Sequence, residues 1–341
     1  MISTLDNFNL QPNNTFRMNV TCRNWTEFTS PEDLPAIFST LGSAPWKCVG
    51  ACSNILFTAD YSGTLFHSAI MDMTMETAND GSVIVRAGSG IEMDALIAQT
   101  ASAGLWGLEN LSGIPGEVGA AAVQNVGAYG VEAKDAIVKV ECFDTKERCM
   151  VTFGVDECNY GYRTSRFKTV PDKGRYVITH VTFRLSSSPA PVLDYGHVKS
   201  RLKEDQAITP LVMRETIMAM RSEKLPEVDK VGSAGSYFKN PVLDTASFDN
   251  LLRRCEEEQL ANPPFFEVNE GIKVPAAWLI DKSGLKGVAK GEASTWQQQP
   301  LVIVNTRGKA APADIIALEH HIIDTVQQKF GVTLVPEVEK V

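Results

Sequence analysis

The chain has 341 residues, 44% of them hydrophobic and 21% charged, with a formal net charge of −9. That length exceeds one ordinary domain, and the composition is that of a globular protein able to bury a sizeable core. The acidic balance argues against a protein that wraps nucleic acid, and no apolar stretch approaches the roughly 18 residues of a membrane-spanning helix, so neither partner is expected.

The opening segment, MISTLDNFNLQPNNTF, lacks the basic n-region and apolar h-region of a secretory signal. Cysteines at 22, 48, 52, 142, 149, 158 and 255 are odd in number and include no CxxC pair, which favours reduced thiols and a cytoplasmic location. WKCVGACSNILFT reads as strand, tight loop, strand. Between 81 and 185, SVIVRAGSG, AIVKVECFD, CMVTF and RYVITHVTFRL have the β-branched content or alternation of strands. One helix is expected among them, IEMDALIAQTASAG, stopped by Gly104. SSSPAPVLDYGH and EKLPEVDKVGSAG have the character of surface connections, and a domain boundary is placed near 222. The last third alternates helix and strand. In PADIIALEHHIIDTVQQKFG, Pro312 opens a helix, Ile315, Leu318, Ile322 and Val326 form one stripe, and Gly331 closes it. The fold class is α+β.

The stretch LSGIPGEVGAAAVQNVGAYGVE, 111–132, concentrates bare backbone. Glycines at 113, 116, 119, 127 and 130 permit positive φ and let a ligand approach main-chain N–H groups. A tightly packed irregular loop would have the same composition; Gln124 and Asn125, which suit a heteroaromatic edge, tilt the balance toward binding. Familiar nucleotide motifs are absent. GSGIEM has Met93 where a dinucleotide fingerprint needs a third small residue and reads as a plain turn, and no GxxxxGK loop occurs. His320 and His321 are helix neighbours pointing about 100 degrees apart and cannot share a metal, so no metal site is expected. No GxSxG elbow is present.

Three polar clusters remain. YGYRTSRFK, 160–168, is a solvated strand edge or a small-anion site in which Arg163 grips a carboxylate. GSAGSYFKNP, 232–241, is a small-residue loop carrying Ser236, Lys239 and Asn240. TLVPEVEKV places Glu337 on an extended segment or an exposed tail.

In this order NTF, VGACSNILF, GLENLSGIPGEVGAAAVQNVGAYGVE, YGYRTSRFK, GSAGSYFKNPV, AAWLIDKSGLKG and FGVTLVPEV resemble segments of the UDP-N-acetylenolpyruvoylglucosamine reductase family over nearly the whole chain. PVLDYGHV resembles the longer of the family's two forms, in which a tyrosine loop closes on the substrate. The resemblance implies a two-domain FAD-binding scaffold of the vanillyl-alcohol-oxidase-like type plus a C-terminal α/β substrate domain. The expected domains are 1–72, with 335–341 packing back on it, 73–222, and 223–334 over the sugar nucleotide. It implies FAD as cofactor, NADPH as reductant and, as activity, reduction of the enolpyruvyl group of UDP-N-acetylglucosamine enolpyruvate to UDP-N-acetylmuramate, a cytoplasmic step of peptidoglycan synthesis. A monomer is expected.

By the same resemblance, Gly50, Ala51, Cys52, Ser53 and Asn54 hold the FAD together with Ser112, Gly113, Ile114, Pro115, Gly119, Ala120, Gln124, Asn125, Gly127 and Ala128. Arg163 and Glu337 stabilise negative charge on the carboxylate side of the substrate, and Ser236 delivers a proton to the adjacent carbon. Tyr162 shapes the pocket, and Tyr195, Arg221, Lys224 and Asn240 contact the nucleotide. Cys52 stands where the family usually has glycine, and Ala122 where it commonly has proline. The competing readings are another FAD-dependent oxidoreductase on the same scaffold and a catalytically silent sugar-nucleotide binder.

Overall fold

The computed structural model describes residues 2–341. The chain divides into two compact units. The first takes the chain up to Phe8, Cys22–Ala51 and Ser62–Arg221; the second takes Asn9–Thr21, Cys52–Tyr61 and Ser222–Val341.

In the first unit, Ile2–Asn9, Thr21–Phe28, Tyr61–Ser68 and Trp46–Val49 form a four-stranded sheet in that order, with the last two strands parallel. A five-stranded antiparallel sheet runs Cys149–Gly154, Ile137–Asp144, Tyr176–Leu185, Val83–Gly88, Met73–Thr77. Its central strand, Tyr176–Leu185, is an almost unbroken β-branched and aromatic run and is buried at nearly every position. Such continuous burial requires cover on both faces. Neighbouring residues divide between the faces accordingly: Cys142 and Ile178 join the helices Met93–Ser102 and Val118–Gln124 in one apolar cluster. Phe143 and Val177 join Phe28, Leu34, Phe38 and Phe66 in another. Met93–Ser102 is the helix expected around 91–104, and Gly104 ends it at φ 76°.

In the second unit, Gly232–Ser236, Val302–Asn305, Ala293–Thr295 and Ala289–Lys290 form an antiparallel sheet, and Val242–Leu243, Gly271–Lys273 and Phe266–Val268 a smaller one. The helix Pro312–Phe330 follows the expected limits, with the Asp314 carboxylate accepting the Ala311 N–H at 3.0 Å and Gly331 at φ 71°. Its stripe of Ile315, Leu318, Ile322 and Val326 is fully buried. Two N-terminal segments belong here because their polar groups find partners here. Ser233 N–H donates to Thr15 O at 2.8 Å, Asn305 Nδ2 to Phe16 O at 3.0 Å, and Ile55–Leu56 pairs in parallel with Glu339–Lys340. Among the described residues no helix is long and apolar enough to cross a membrane.

Candidate active site

The loop after Trp46–Val49 and the helix Val118–Gln124 meet closely in the first unit. A Cβ on Gly50 would lie 3.1 Å from Ala120 Cβ and 3.1 Å from Glu117 Oε2. Bare backbone is thus retained where two of the loops singled out in the sequence come together. Gly113, Gly116 and Gly130 have φ of 72°, 125° and 84°, the region that disfavours a side chain.

Cofactor approach is not the sole reason for the glycines. Gly119 packs its backbone on Ser89, where a Cβ would lie 2.8 Å from Ser89 Cβ. Val118 and Gly119 N–H groups donate to Ile91 O and Ser89 O at 2.9 and 3.0 Å, and Gly113 N–H donates to Asp94 Oδ1 at 2.6 Å. GSGIEM is therefore more than a plain turn, since its carbonyls fasten the first turn of the helix. Asn125, the left-handed C-cap of that helix, is buried with its side chain engaged inside the protein. Its Nδ2 donates to Glu132 Oε2 and Gly161 O at 3.0 Å each, and its Oδ1 accepts from Lys134 N at 3.0 Å. The side-chain argument that pointed Asn125 at a heteroaromatic edge is corrected by these bonds: the amide locks the 125–134 turn. Gln124 Oε1 accepts from Lys168 Nζ, and buried Ser112 donates its hydroxyl to Glu109 O at 2.6 Å.

Arg163 sits at φ 54°, its guanidinium over the Tyr162 ring and its Nη2 donating to Gly127 O at 2.6 Å. The sequence-named cation is thereby held against the sequence-named glycine strand Gly127–Ala128, which pairs with Val131–Glu132. Tyr195 stands over Gly130, whose Cβ would meet Tyr195 Cβ at 3.1 Å. Asn110, absent from the sequence-based set, fastens that arrangement: its buried Nδ2 donates to Tyr129 O at 2.8 Å and to Val192 O at 3.0 Å. Arg221 lies against Gly113, and burial pulls its guanidinium pKa down despite the opposing influence of Tyr129 and Asp94.

His67 and Glu117 were also not singled out from sequence. His67 Nε2 bonds Glu117 Oε1 at 2.8 Å and Nδ1 bonds Glu27 Oε1 at 3.0 Å, with the ring stacked on Trp25. Burial alone would lower its pKa, but the bonds and charges of Glu117 and Glu27 outweigh it, and the pKa is raised. His67 therefore links two carboxylates, one of them the Glu117 group that lies beside Gly50.

In the second unit, Cys52 adopts φ 48° and is buried, which is the physical reason a glycine suits this position. Thr15 Oγ1 donates to Cys52 O at 3.5 Å. Ser236 is exposed at the end of Gly232–Ser236. Glu337 lies beside it through the intervening Tyr237: Glu337 N–H donates to Tyr237 O at 2.8 Å, and Phe238 bridges to Pro336. Asn54 Nδ2 donates to Glu337 O at 3.3 Å, and Glu339 N–H to Asn54 O at 3.0 Å. The fold thus brings Ser236, Glu337 and Asn54 together. Lys224 is exposed, and Asn240 Oδ1 accepts from Ala276 N at 2.9 Å.

Residues 226–341 match the family model described as UDP-N-acetylenolpyruvoylglucosamine reductase, C-terminal domain, and residues 26–152 match an FAD binding domain. The reductase of Bacteroides fragilis is 41% identical over 97% of this chain and 98% of its own length. The chain belongs to the UDP-N-acetylenolpyruvoylglucosamine reductase family. The Porphyromonas gingivalis member is 36% identical over 97% of both chains. A crystal structure of the reductase from Thermus caldophilus superposes with a TM-score of 0.68 at 23% identity, covering 100% of this chain and 98% of that one, so the fold is shared. The α+β scaffold expected from sequence, an FAD-binding part followed by the family's C-terminal domain, is therefore present. FAD is the cofactor.

Proposed function

We propose that the chain reduces the enolpyruvyl group of UDP-N-acetylglucosamine enolpyruvate to UDP-N-acetylmuramate at the expense of NADPH, with Arg163, Ser236 and Glu337 as the residues that act on the substrate. The reading is carried by kinship at 41% identity along 97% of the chain. Support for the residue roles comes from the anchoring of Ser236 and Glu337 on either side of Tyr237 and from the hold of Arg163 on Gly127.

Residues 50–54 would hold the FAD together with Ser112, Gly113, Ile114, Pro115, Gly119, Ala120, Gln124, Gly127 and Ala128 and the main chain of Asn125. Held there, FAD would supply hydride transfer, with two electrons drawn from NADPH, to the methylene carbon distal to the carboxylate. Saturating that double bond drives negative charge onto the carboxylate side. Arg163, already fixed by Gly127 and Tyr162, presents preorganised donors to this charge. Glu337 is assigned the same task, which a carboxyl group performs through the O–H of its neutral acid form. Ser236 Oγ releases its proton to the carbon that bears the carboxylate, and its exposure leaves the hydroxyl open to substrate. Tyr162, Tyr195, Arg221, Lys224 and Asn240 receive the sugar nucleotide. Residues 1–72 with 335–341 and residues 73–222 are read as the cofactor domains, and 223–334 as the substrate domain. We read the chain as a cytoplasmic monomer without a nucleic-acid partner, in keeping with its net charge of −9.

The test is anaerobic. NADPH should bleach the yellow protein, and the enolpyruvyl substrate should restore the colour with formation of UDP-N-acetylmuramate. A reduced flavin that the enolpyruvyl substrate fails to reoxidise would overturn the substrate assignment, and a protein that takes up no FAD would overturn the chemistry.

A further inference from the structure

The helix Pro312–Phe330 carries a charge where its own periodicity forbids one. Glu319 follows Ile315 by four positions and precedes Ile322 by three, which places it inside the apolar stripe. It is 2% exposed. A carboxylate so buried costs stability unless its oxygens are bonded, and here both are. Tyr237 Oη donates to Glu319 Oε2 at 2.5 Å, and Lys340 Nζ donates to Oε1 at 2.8 Å.

The two partners are the notable part. Tyr237 is the residue after Ser236, and Lys340 lies on the two-residue strand that ends the segment containing Glu337. Tyr237 O also accepts the Glu337 N–H. One buried carboxylate therefore grips the strand of one substrate-facing group and the segment of the other. Burial, reinforced by the Glu319 carboxylate, pushes the Tyr237 phenol well up, so it stays a neutral donor.

We infer that Glu319 is a positioning residue for the oxidative half-reaction, setting the spacing of Ser236 and Glu337 through Tyr237 and Lys340. The inference rests on the roles proposed above for those two residues. A donor and an anion stabiliser must both lie near their productive positions, and a displacement of about 1 Å can cost about 100-fold in rate. Holding both from one point in the core fixes their separation more tightly than two independent anchors would.

The experiment uses the full chain loaded with FAD and follows each half-reaction separately by rapid mixing. Glu319→Gln and Lys340→Met should slow flavin reoxidation by the enolpyruvyl substrate about 10- to 100-fold. FAD content and reduction by NADPH should stay at wild-type values, which a general loss of structure would not permit. In the Glu319→Gln background, Lys340→Met should add little, because both remove one interaction. If Glu319→Gln does not fold, Lys340→Met carries the test alone, since Lys340 is partly exposed. Wild-type reoxidation in Lys340→Met, or equal slowing of both half-reactions, would overturn the inference while Ser236→Ala still slows reoxidation. Should Ser236→Ala itself reoxidise normally, the proposed role of Ser236 fails first and this inference falls with it.

Discussion

The backbone N–H of Glu337 donates to the carbonyl of Tyr237 at 2.8 Å, so the glutamate and Ser236 are held one residue apart across a single hydrogen bond. The segment is bonded further on: Glu339 N–H reaches Asn54 O at 3.0 Å and Thr58 N–H reaches Val341 O at 2.7 Å. An extended terminal segment is thus fixed as an element of the second unit. Glu337→Ala removes the carboxyl group and leaves these main-chain bonds. It should slow flavin reoxidation by the substrate about 100- to 1,000-fold, the usual loss for one anion-stabilising group, with NADPH reduction unchanged in rapid mixing.

Asn110 joins the turn at Tyr129 to the tyrosine segment at Val192. Asn110→Ala removes both of these bonds and loosens the segment carrying Tyr195. Stability should fall by about 1–3 kcal/mol in denaturant melts. KM for the sugar nucleotide should rise more than kcat falls, which steady-state kinetics at saturating NADPH would show. An unchanged KM would detach Tyr195 from substrate binding.

Gly119→Ala tests whether that glycine serves packing or the cofactor. Alanine gains about 1 kcal/mol of helix propensity over glycine. Against this, Ser89 cannot withdraw from the new methyl, because its Oγ bonds Ser68 Oγ at 2.7 Å and its N–H bonds Thr179 O at 2.8 Å. Overpacking of this kind costs about 1–3 kcal/mol and should win. The drop in melting temperature should be as large in the FAD-free protein as in the loaded one. A drop seen only with FAD would make the cofactor, and not Ser89, the reason for the bare backbone at Gly119.

His67 sets a pH dependence. Its folded pKa is raised above the ordinary value of 6.5 by Glu117 and Glu27, against burial. The stability this contributes is fully present below pH 6.5 and is lost as pH rises through the folded pKa. Thermal melts across neutral pH should therefore show a decline in wild type that His67→Gln flattens. FAD affinity should weaken over the same window, as the Glu117 carboxylate beside Gly50 loses its counter-charge. A parallel slope in both proteins would assign the decline to other groups.

Much of the architecture was legible because it rests on periodicity and punctuation. The helix Pro312–Phe330 announces itself by a stripe, an opening proline and a closing glycine, and the strand Tyr176–Leu185 by its β-branched and aromatic content. Long-range pairing was not legible. Nothing local tells that Thr15 and Phe16 bond the strands of the C-terminal part, or that Gly119 is bare because Ser89 presses on it. Motif order assembled the candidate site, and the fold supplies the connections it lacked, through Asn110, Glu117 and His67. Glu319 does leave a trace, a charge inside an apolar stripe. Asn125 shows the opposite failing, since an amide that suited a ligand on paper is spent on the protein's own turn.

The most direct measurement is the pair of half-reaction rates in Ser236→Ala, taken anaerobically with flavin absorbance as the signal. Reduction by NADPH should proceed at the wild-type rate, and reoxidation by the enolpyruvyl substrate should fall about 100- to 10,000-fold, the span expected when a positioned proton donor is lost. Reoxidation at the wild-type rate, or equal slowing of both steps, would contradict the account.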